Sequence, residues 1–343
     1  MLRPLASWLA ALLLVATVLA AGGRTAAAAP SSGCALPAPA YAVNATTEDT
    51  VRHGQRRRWL VHVPPGYNHS TPTPVVMVMH GGFGSDEQAE RAYHMNELAA
   101  SERFIVVYPQ GVFNAWNGGN CCGWPMENGV DDVGYIRALL DVVETKLCVD
   151  TGRVFASGMS NGAIMAIRLA CEAADRITAA TSVAGTIGVA DCTPSRPIPV
   201  MYIHGENDLN VPFYGGVGCG VSGTDFMPVP TGLDRFAAVN GANCTWEDRA
   251  VCARPWGGFG SDNCTQLGAS PSGAQVVLCL LPGNGHSWPQ PQTPEADAAL
   301  PAIRVARADA AREGADCDWG VADFSANKAM WDFFVRAPPI QQW

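Results

Sequence analysis

From Arg57 onward, short unbroken apolar runs alternate with stretches whose apolar residues recur at helical spacing. That alternation restricts the chain to a mostly parallel sheet covered by helices. A strand buried on both faces reads as a continuous apolar run, whereas a half-exposed strand alternates. Pro74–Met79, Phe104–Tyr108, Val154–Ser157, Pro199–His204 and Gln275–Leu281 are such runs, and Trp59–Val63 is an early strand ended by Pro64-Pro65-Gly66. Helical spacing covers Glu87–Ala100, Asp131–Leu147 with its acidic first turn, Gly162 to about Ala174, and Phe324–Val335. Phe213 to Ser272 is rich in Gly and Cys with little periodicity, as expected of insertions on one domain. No internal repeat or interdomain linker is visible. The expected organisation is a signal segment at 1–20, a flexible Ala/Pro/Ser-rich lead-in at 21–40, and one α/β domain at 41–343, its mostly parallel sheet covered by helices on both faces and its loop insertions tied by disulfides.

Hydrophobic residues make up 48% of the 343 residues and charged ones 15%, enough for a large core and incompatible with global disorder. Lys and Arg number 22 against 31 Asp and Glu, a net charge of −9. A chain this acidic is a poor partner for nucleic acid or an anionic membrane surface. Arg3 precedes an apolar run from Leu5 to Ala21, and Val18-Leu19-Ala20 offers a cleavage site. This is the order of a secretory signal peptide, and the run sits at the short limit for a bilayer span, so no stable span is expected after its removal.

The 12 cysteines include no CxxC pair, and HExxH is absent, so disulfides in an oxidising compartment are expected rather than a metal site. The chain therefore reads as secreted, with no metal and no cofactor. Local spacing suggests the pairs Cys171–Cys192, Cys121 or Cys122 with Cys148, Cys244–Cys264 and Cys252–Cys279. Asn44, Asn68, Asn243 and Asn263 head N-x-S/T sequons, which would carry surface glycans if the chain is made in a eukaryote.

The chemistry centres on Gly158-Met159-Ser160-Asn161-Gly162, a G-x-S-x-G between a strand and a helix. A sharp turn there lifts the serine hydroxyl clear of the backbone and leaves room only for small neighbours. The alternative is a Gly-flanked turn with no chemistry. A serine becomes a useful nucleophile when a histidine takes its proton and a carboxylate orients that histidine. Asp208 follows the strand ending at His204, and His286 follows the strand ending at Leu281. The order Ser160, Asp208, His286 is that of α/β-hydrolases, and each lies past the carboxyl end of a strand. Glu206 is the competing acid, but Asp208 is better placed before Val211-Pro212.

His80-Gly81-Gly82-Phe83 follows the strand ending at Met79 and matches an oxyanion loop, which nominates the backbone amides of Gly82 and Asn161 as oxyanion donors. His80 and His204 end strands and read as structural hydrogen-bonding residues. Among the nearby aromatics, Trp288, Phe83 and Trp116 are candidate substrate-binding residues; core packing is the alternative for each.

These motifs together resemble the polyhydroxybutyrate depolymerase/feruloyl esterase group of secreted α/β-hydrolases. The matching pieces are HGG at His80, WNGGNCCG at Trp116–Gly123, VDDVGYI at Val130–Ile136 and ASGMSNGAIMAIRLAC at Ala156–Cys171. CTPSRPIPV at Cys192–Val200, HGENDLNVPF at His204–Phe213 and GNGHSWP around His286 complete the set. The chain departs from the family pattern near Gly215–Thr224 and Pro291–Asp318.

The resemblance implies an α/β-hydrolase fold and a serine carboxylic ester hydrolase with Ser160 as nucleophile, Asp208 as acid and His286 as base. Plant cell-wall esters (feruloyl, or acetyl on xylan) or hydroxyalkanoate esters are the implied substrates. A serine peptidase on the same fold and a binding protein that has lost catalysis are the rivals; the missing N-terminal propeller-sized domain argues against the oligopeptidase version of the first, and all three triad positions are filled against the second.

Overall fold

A computed structural model describes residues 29–220, 222–291 and 322–340. The expected signal segment at 1–20 and most of the divergent stretch at 291–318 lie outside these residues. Twelve strands are present among them: β1 (Ala45–His53), β2 (Gln55–Val63), β3 (Thr73–Met79), β4 (Ile105–Pro109), β5 (Val149–Gly158), β6 (Ala179–Val183), β7 (Val200–Gly205), β8 (Gly216–Val217), β9 (Asp225–Phe226), β10 (Ala253–Pro255), β11 (Cys264–Leu267) and β12 (Val276–Leu281). Ten form one sheet in the order β1-β2-β4-β3-β5-β6-β7-β12-β11-β10. The six central strands, β4 through β12 in that order, run parallel, and antiparallel strands close both edges. Every residue of β3, β4, β6 and β7 is buried, as their unbroken apolar or small-residue runs require.

Helices α1 (Asp86–Tyr93), α2 (Met95–Glu102), α3 (Gly123–Glu127), α4 (Asp132–Lys146), α5 (Asn161–Glu172), α6 (Val229–Val239), α7 (Arg249–Cys252) and α8 (Ala326–Arg336) connect or cover the strands. One apolar core joins α4, α5 and α6 to one face of the sheet, and a second joins α8 and the α1–α2 pair to the other. The expected helix over Glu87–Ala100 is broken into α1 and α2 because His94 takes a left-handed φ of 52° between them. Besides the short elements α3, α7 and β8 to β11, no sequence signal marked β1, which is half-exposed, α6, hidden in the Gly-rich stretch, or β6. The sequence of β6, Ala-Ala-Thr-Ser-Val, reads as polar, yet its Thr181 hydroxyl donates to Ser157 Oγ at 2.8 Å across the sheet.

The lead-in is not loose where it is described. Pro30 bridges Asp150, the Ser31 hydroxyl donates to Leu147 O (2.8 Å) and accepts from Val149 N (3.0 Å), and Cys34 is bonded to Cys148. Cys148 is therefore unavailable to Cys121 or Cys122, which are bonded to each other. Cys171–Cys192 forms as its helix-to-strand spacing suggests. The other two expected pairings are replaced by Cys244–Cys252 and Cys264–Cys279, because β11 and β12 are antiparallel partners with Cys264 opposite Cys279.

The Cys34–Cys148 bond closes a separation of 114 residues. Removing it with Cys34→Ser/Cys148→Ser should lower unfolding free energy by about 3–5 kcal/mol. Chemical denaturation reads this directly. A change below about 0.5 kcal/mol would mean that the segment 29–41 docks without help from the bond.

Candidate active site

Ser160 stands at the end of β5 with φ 55° and ψ −123°, outside the regions an ordinary L residue occupies. Such a conformation costs roughly 1–3 kcal/mol and persists only when its surroundings over-determine it. Ser160 N–H donates to Val183 O at 2.9 Å, and Gly162 N–H donates to Met159 O at 2.8 Å. A Cβ on Gly158 would strike the carbonyls of Gly162 and Met79, and one on Gly162 would strike those of His80 and Met79. The two glycines are thus required by the closeness of β3 to the turn. Ser160 is the N-cap of α5, yet its side chain makes no capping hydrogen bond. Its hydroxyl is not spent on the helix, as an N-cap serine's usually is.

Asp208 and His286 occupy the loops that follow the adjacent strands β7 and β12. His286 Nδ1 lies 2.9 Å from Asp208 Oδ2, and both side chains are buried. The other carboxylate oxygen accepts from Asn210 N (3.0 Å) and Val211 N (2.8 Å), so the turn itself grips the acid. Burial alone would push the Asp208 carboxyl up, but the hydrogen bond and charge of His286, with His204 and the Val211 amide, hold it below the usual carboxylate range. An ionised Asp208 requires the proton on His286 Nδ1, which leaves Nε2 as the free acceptor. Glu206 is exposed and does not take this place. The two loops are stitched together: Asn207 N–H donates to Asn284 O at 3.0 Å and Glu206 N–H to Leu281 O at 3.1 Å.

The segment from His80 to Phe83 lies against the serine turn. A Cβ built on Gly82 would come 3.9 Å from Asn161 Cβ, and one on Gly81 would come 3.5 Å from Ser160 Cβ. Asn161 is the first residue of α5, so its N–H has no acceptor within the helix. The Asn161 carboxamide grips the Trp116 backbone with both ends, Oδ1 accepting from Trp116 N (2.7 Å) and Nδ2 donating to Trp116 O (2.9 Å). The Trp116 indole N–H in turn donates to His80 O at 2.9 Å. His80 Nε2 accepts from Gly111 N at 2.9 Å, which leaves Nδ1 to donate to Gly81 O at 2.7 Å. Burial, aided by the Arg57 charge, pushes the His80 imidazole down to about 4 against the pull of its bond to Gly81. His80 is a neutral linchpin of the loop.

Of the three aromatics read as substrate-binding, only Phe83 faces solvent, at 79% exposure. Trp116 is fully buried beneath the His80 loop, within cation–π reach of Arg57. Trp288 stacks on Tyr93 with centroids 4.3 Å apart and donates its indole N–H to Asn327 Oδ1 at 2.9 Å. A buried indole N–H usually finds an acceptor, and here those bonds make both tryptophans anchors of site loops. Sequence reasoning missed the buried pair of Arg57 and Asp132, 2.6 Å apart, whose other carboxylate oxygen accepts from Asn117 N at 2.7 Å. The VDDVGYI segment carried that signal, with one acid more than the N-cap of α4 needs.

Comparison with known proteins agrees with this architecture. The acetyl xylan esterase of Aspergillus awamori superposes with a TM-score of 0.50 at 15% identity, covering 74% of this chain and 98% of that one. The fold is that of an α/β-hydrolase. The profile of the family described as esterase PHB depolymerase matches residues 58–208. NocK of Nocardia uniformis subsp. tsuyamanensis, a protein assigned as an esterase, is 30% identical over 82% of this chain and 89% of its own. Feruloyl esterase D of Neurospora crassa is 33% identical over 57% of this chain and 68% of its own. The chain belongs to the polyhydroxybutyrate depolymerase/feruloyl esterase family and is a carboxylic ester hydrolase.

Trp116→Phe keeps an aromatic ring, though a smaller one, and deletes the bond to His80 O. Ester hydrolysis should lose about tenfold to a hundredfold in kcat with KM within about threefold, since the loss falls on the geometry of charge stabilisation. An unchanged kcat in the folded variant would count against the brace. His62, His80 and His204 are all held below the ordinary imidazole range, chiefly by burial. Between pH 6.5 and about 4 the unfolded chain gains a proton at residue 80 that the folded one refuses. Stability should therefore fall as pH drops through that window. Denaturant titrations at several pH values check this, and a flat profile contradicts it.

Proposed function

We propose that this esterase works through Ser160, His286 and Asp208 on feruloyl-type esters of plant cell-wall polysaccharide. Ser160 Oγ attacks the ester carbonyl as His286 Nε2 takes its proton, while Asp208 holds the imidazole and stabilises the imidazolium. The amides of Gly82 and Asn161 receive the developing oxyanion, and the positive end of α5 lies behind them. His286 returns the proton to the departing alcohol, the acyl group stays on Ser160, and an activated water releases it. The observation that carries this reading is the buried Asp208–His286 contact, held by loops at the same carboxyl edge of the sheet as an uncapped serine at a strained turn.

The acyl preference rests on the relatives: one is named a feruloyl esterase, and the structural neighbour is named an acetyl xylan esterase. Secretion is supported by the signal-like N-terminus and by the disulfides of the described residues. Among those residues no helix is long and apolar enough to cross a membrane.

A release assay on methyl ferulate, acetylated xylan and a hydroxybutyrate oligomer tests the substrate, with methyl ferulate expected to be cleaved fastest. Ser160→Ala and His286→Ala should each lower kcat by roughly 10⁴-fold or more, and the double variant little further, because such groups act as a unit. Retention of a few per cent of wild-type turnover by Ser160→Ala would refute the nucleophile. Additive losses would place His286 in another role.

A further inference from the structure

Five of the ten large apolar side chains exposed among the described residues lie on segments that leave the carboxyl ends of sheet strands, the edge that carries Ser160. Phe83 leaves β3, Phe113 and Trp124 follow β4, and Leu209 and Tyr214 follow β7. Among them Phe113 and Trp124 are in contact, and paired exposed rings of this kind mark a candidate binding face.

Phe113, like Phe83, is costly to hold. Val112 and Ala115 bridge each other, with Ala115 N–H donating to Val112 O at 3.1 Å, and the two residues between them have φ 47° and 58°. Two positive φ values inside a two-residue turn mark type I′, which favours Asn, Asp or Gly. The second of them, Asn114, obeys that preference, and Phe113 breaks it. Burial does not compensate, because Phe113 is 72% exposed. Backbone preference and hydration both oppose a phenylalanine here, so folding does not explain its presence.

The turn is also fixed in place. Phe83, itself at φ 63°, donates its N–H to Asn114 O at 2.8 Å, so the exposed turn is continuous with the oxyanion loop. Phe113 meets Trp124 edge to face with centroids 4.8 Å apart, and Trp124 is 46% exposed. The connecting segments 80–85 and 110–122 contain no Asp, Glu, Lys or Arg. The result is a corner of open ring faces near the serine turn; the carboxylates next along the chain are Asp86 and Glu87, paired with Arg58, and the exposed Glu127 of α3.

We propose that Phe113 and Trp124 form a docking platform for the polysaccharide chain that carries the ester, by stacking against the CH faces of its pyranose rings. This rests on the feruloyl reading above. A neutral, flat-faced chain that extends away from the scissile bond matches both the chemistry of the corner and its position. A small ester would reach Ser160 without touching it.

The test uses Phe113→Asn, Trp124→Ala and the double variant. Asparagine suits a type I′ turn, so the Phe113→Asn variant should melt at the same temperature as the wild type or higher. Hydrolysis of methyl ferulate should stay within about twofold, while release of ferulate from insoluble feruloylated arabinoxylan falls about tenfold in the double variant. Co-sedimentation with arabinoxylan stripped of its esters should weaken by a similar factor. Equal losses on methyl ferulate and on the polymer would make the rings part of the acyl pocket and overturn the proposal. Unchanged co-sedimentation, or a loss confined to binding of a polyhydroxybutyrate film, would overturn it as well. If the wild type fails to cleave methyl ferulate the feruloyl reading falls, and co-sedimentation with the stripped polymer still decides the platform.

Discussion

The backbone of Ser160 is the constraint on which the other features of the site depend. A residue at φ 55° and ψ −123° is stable only if strands, glycines and carbonyls around it leave no alternative. Gly158 and Gly162 give β3 room to pass close by, and Val183 at the end of β6 accepts the Ser160 amide. The parallel centre of the sheet thus does more than bury apolar surface. It brings the carboxyl ends of β3, β5 and β6 to one place, and the loops after β7 and β12 carry Asp208 and His286 to the same edge.

Around that turn the polar groups divide into two electrostatic kinds. His80 is kept neutral by burial and works as a two-ended hydrogen-bonding strut. Asp208 is equally hidden, yet its hydrogen bonds hold it charged. Low dielectric penalises any charge that lacks a partner, so the same burial gives opposite outcomes at the two residues. Arg57 and Asp132 form a buried ion pair below Trp116, where Asp132 also accepts the Asn117 amide. Breaking either member would strand the other and loosen the loop that Asn161 grips.

Apolar runs named β3, β4, β5, β7 and β12 because strands buried on both faces need unbroken apolar side chains, and helical spacing named α4, α5 and α8 for the matching reason. β6 escaped because Thr181 satisfies its hydroxyl through Ser157, a partner that exists only after the strands are assembled. α6 escaped because glycines and cysteines surround it. The docking of residues 29–41 escaped too, since nothing in an Ala/Pro-rich run announces that Cys34 will meet Cys148 across 114 residues.

By itself the sequence determined the class of fold, the strand-turn-helix setting of Ser160, and the loops that hold Asp208 and His286. Those are local signals: periodicity, turn glycines and the order of motifs along the chain. Only the tertiary structure decided that Asp208 and not Glu206 faces the imidazole, that Cys264 lies opposite Cys279, and that Trp116 and Trp288 are anchors while Phe83 and Phe113 stand in solvent. Each of these depends on which surfaces meet when distant strands pair, and an aromatic side chain or a carboxylate carries no mark of its eventual neighbours until they do.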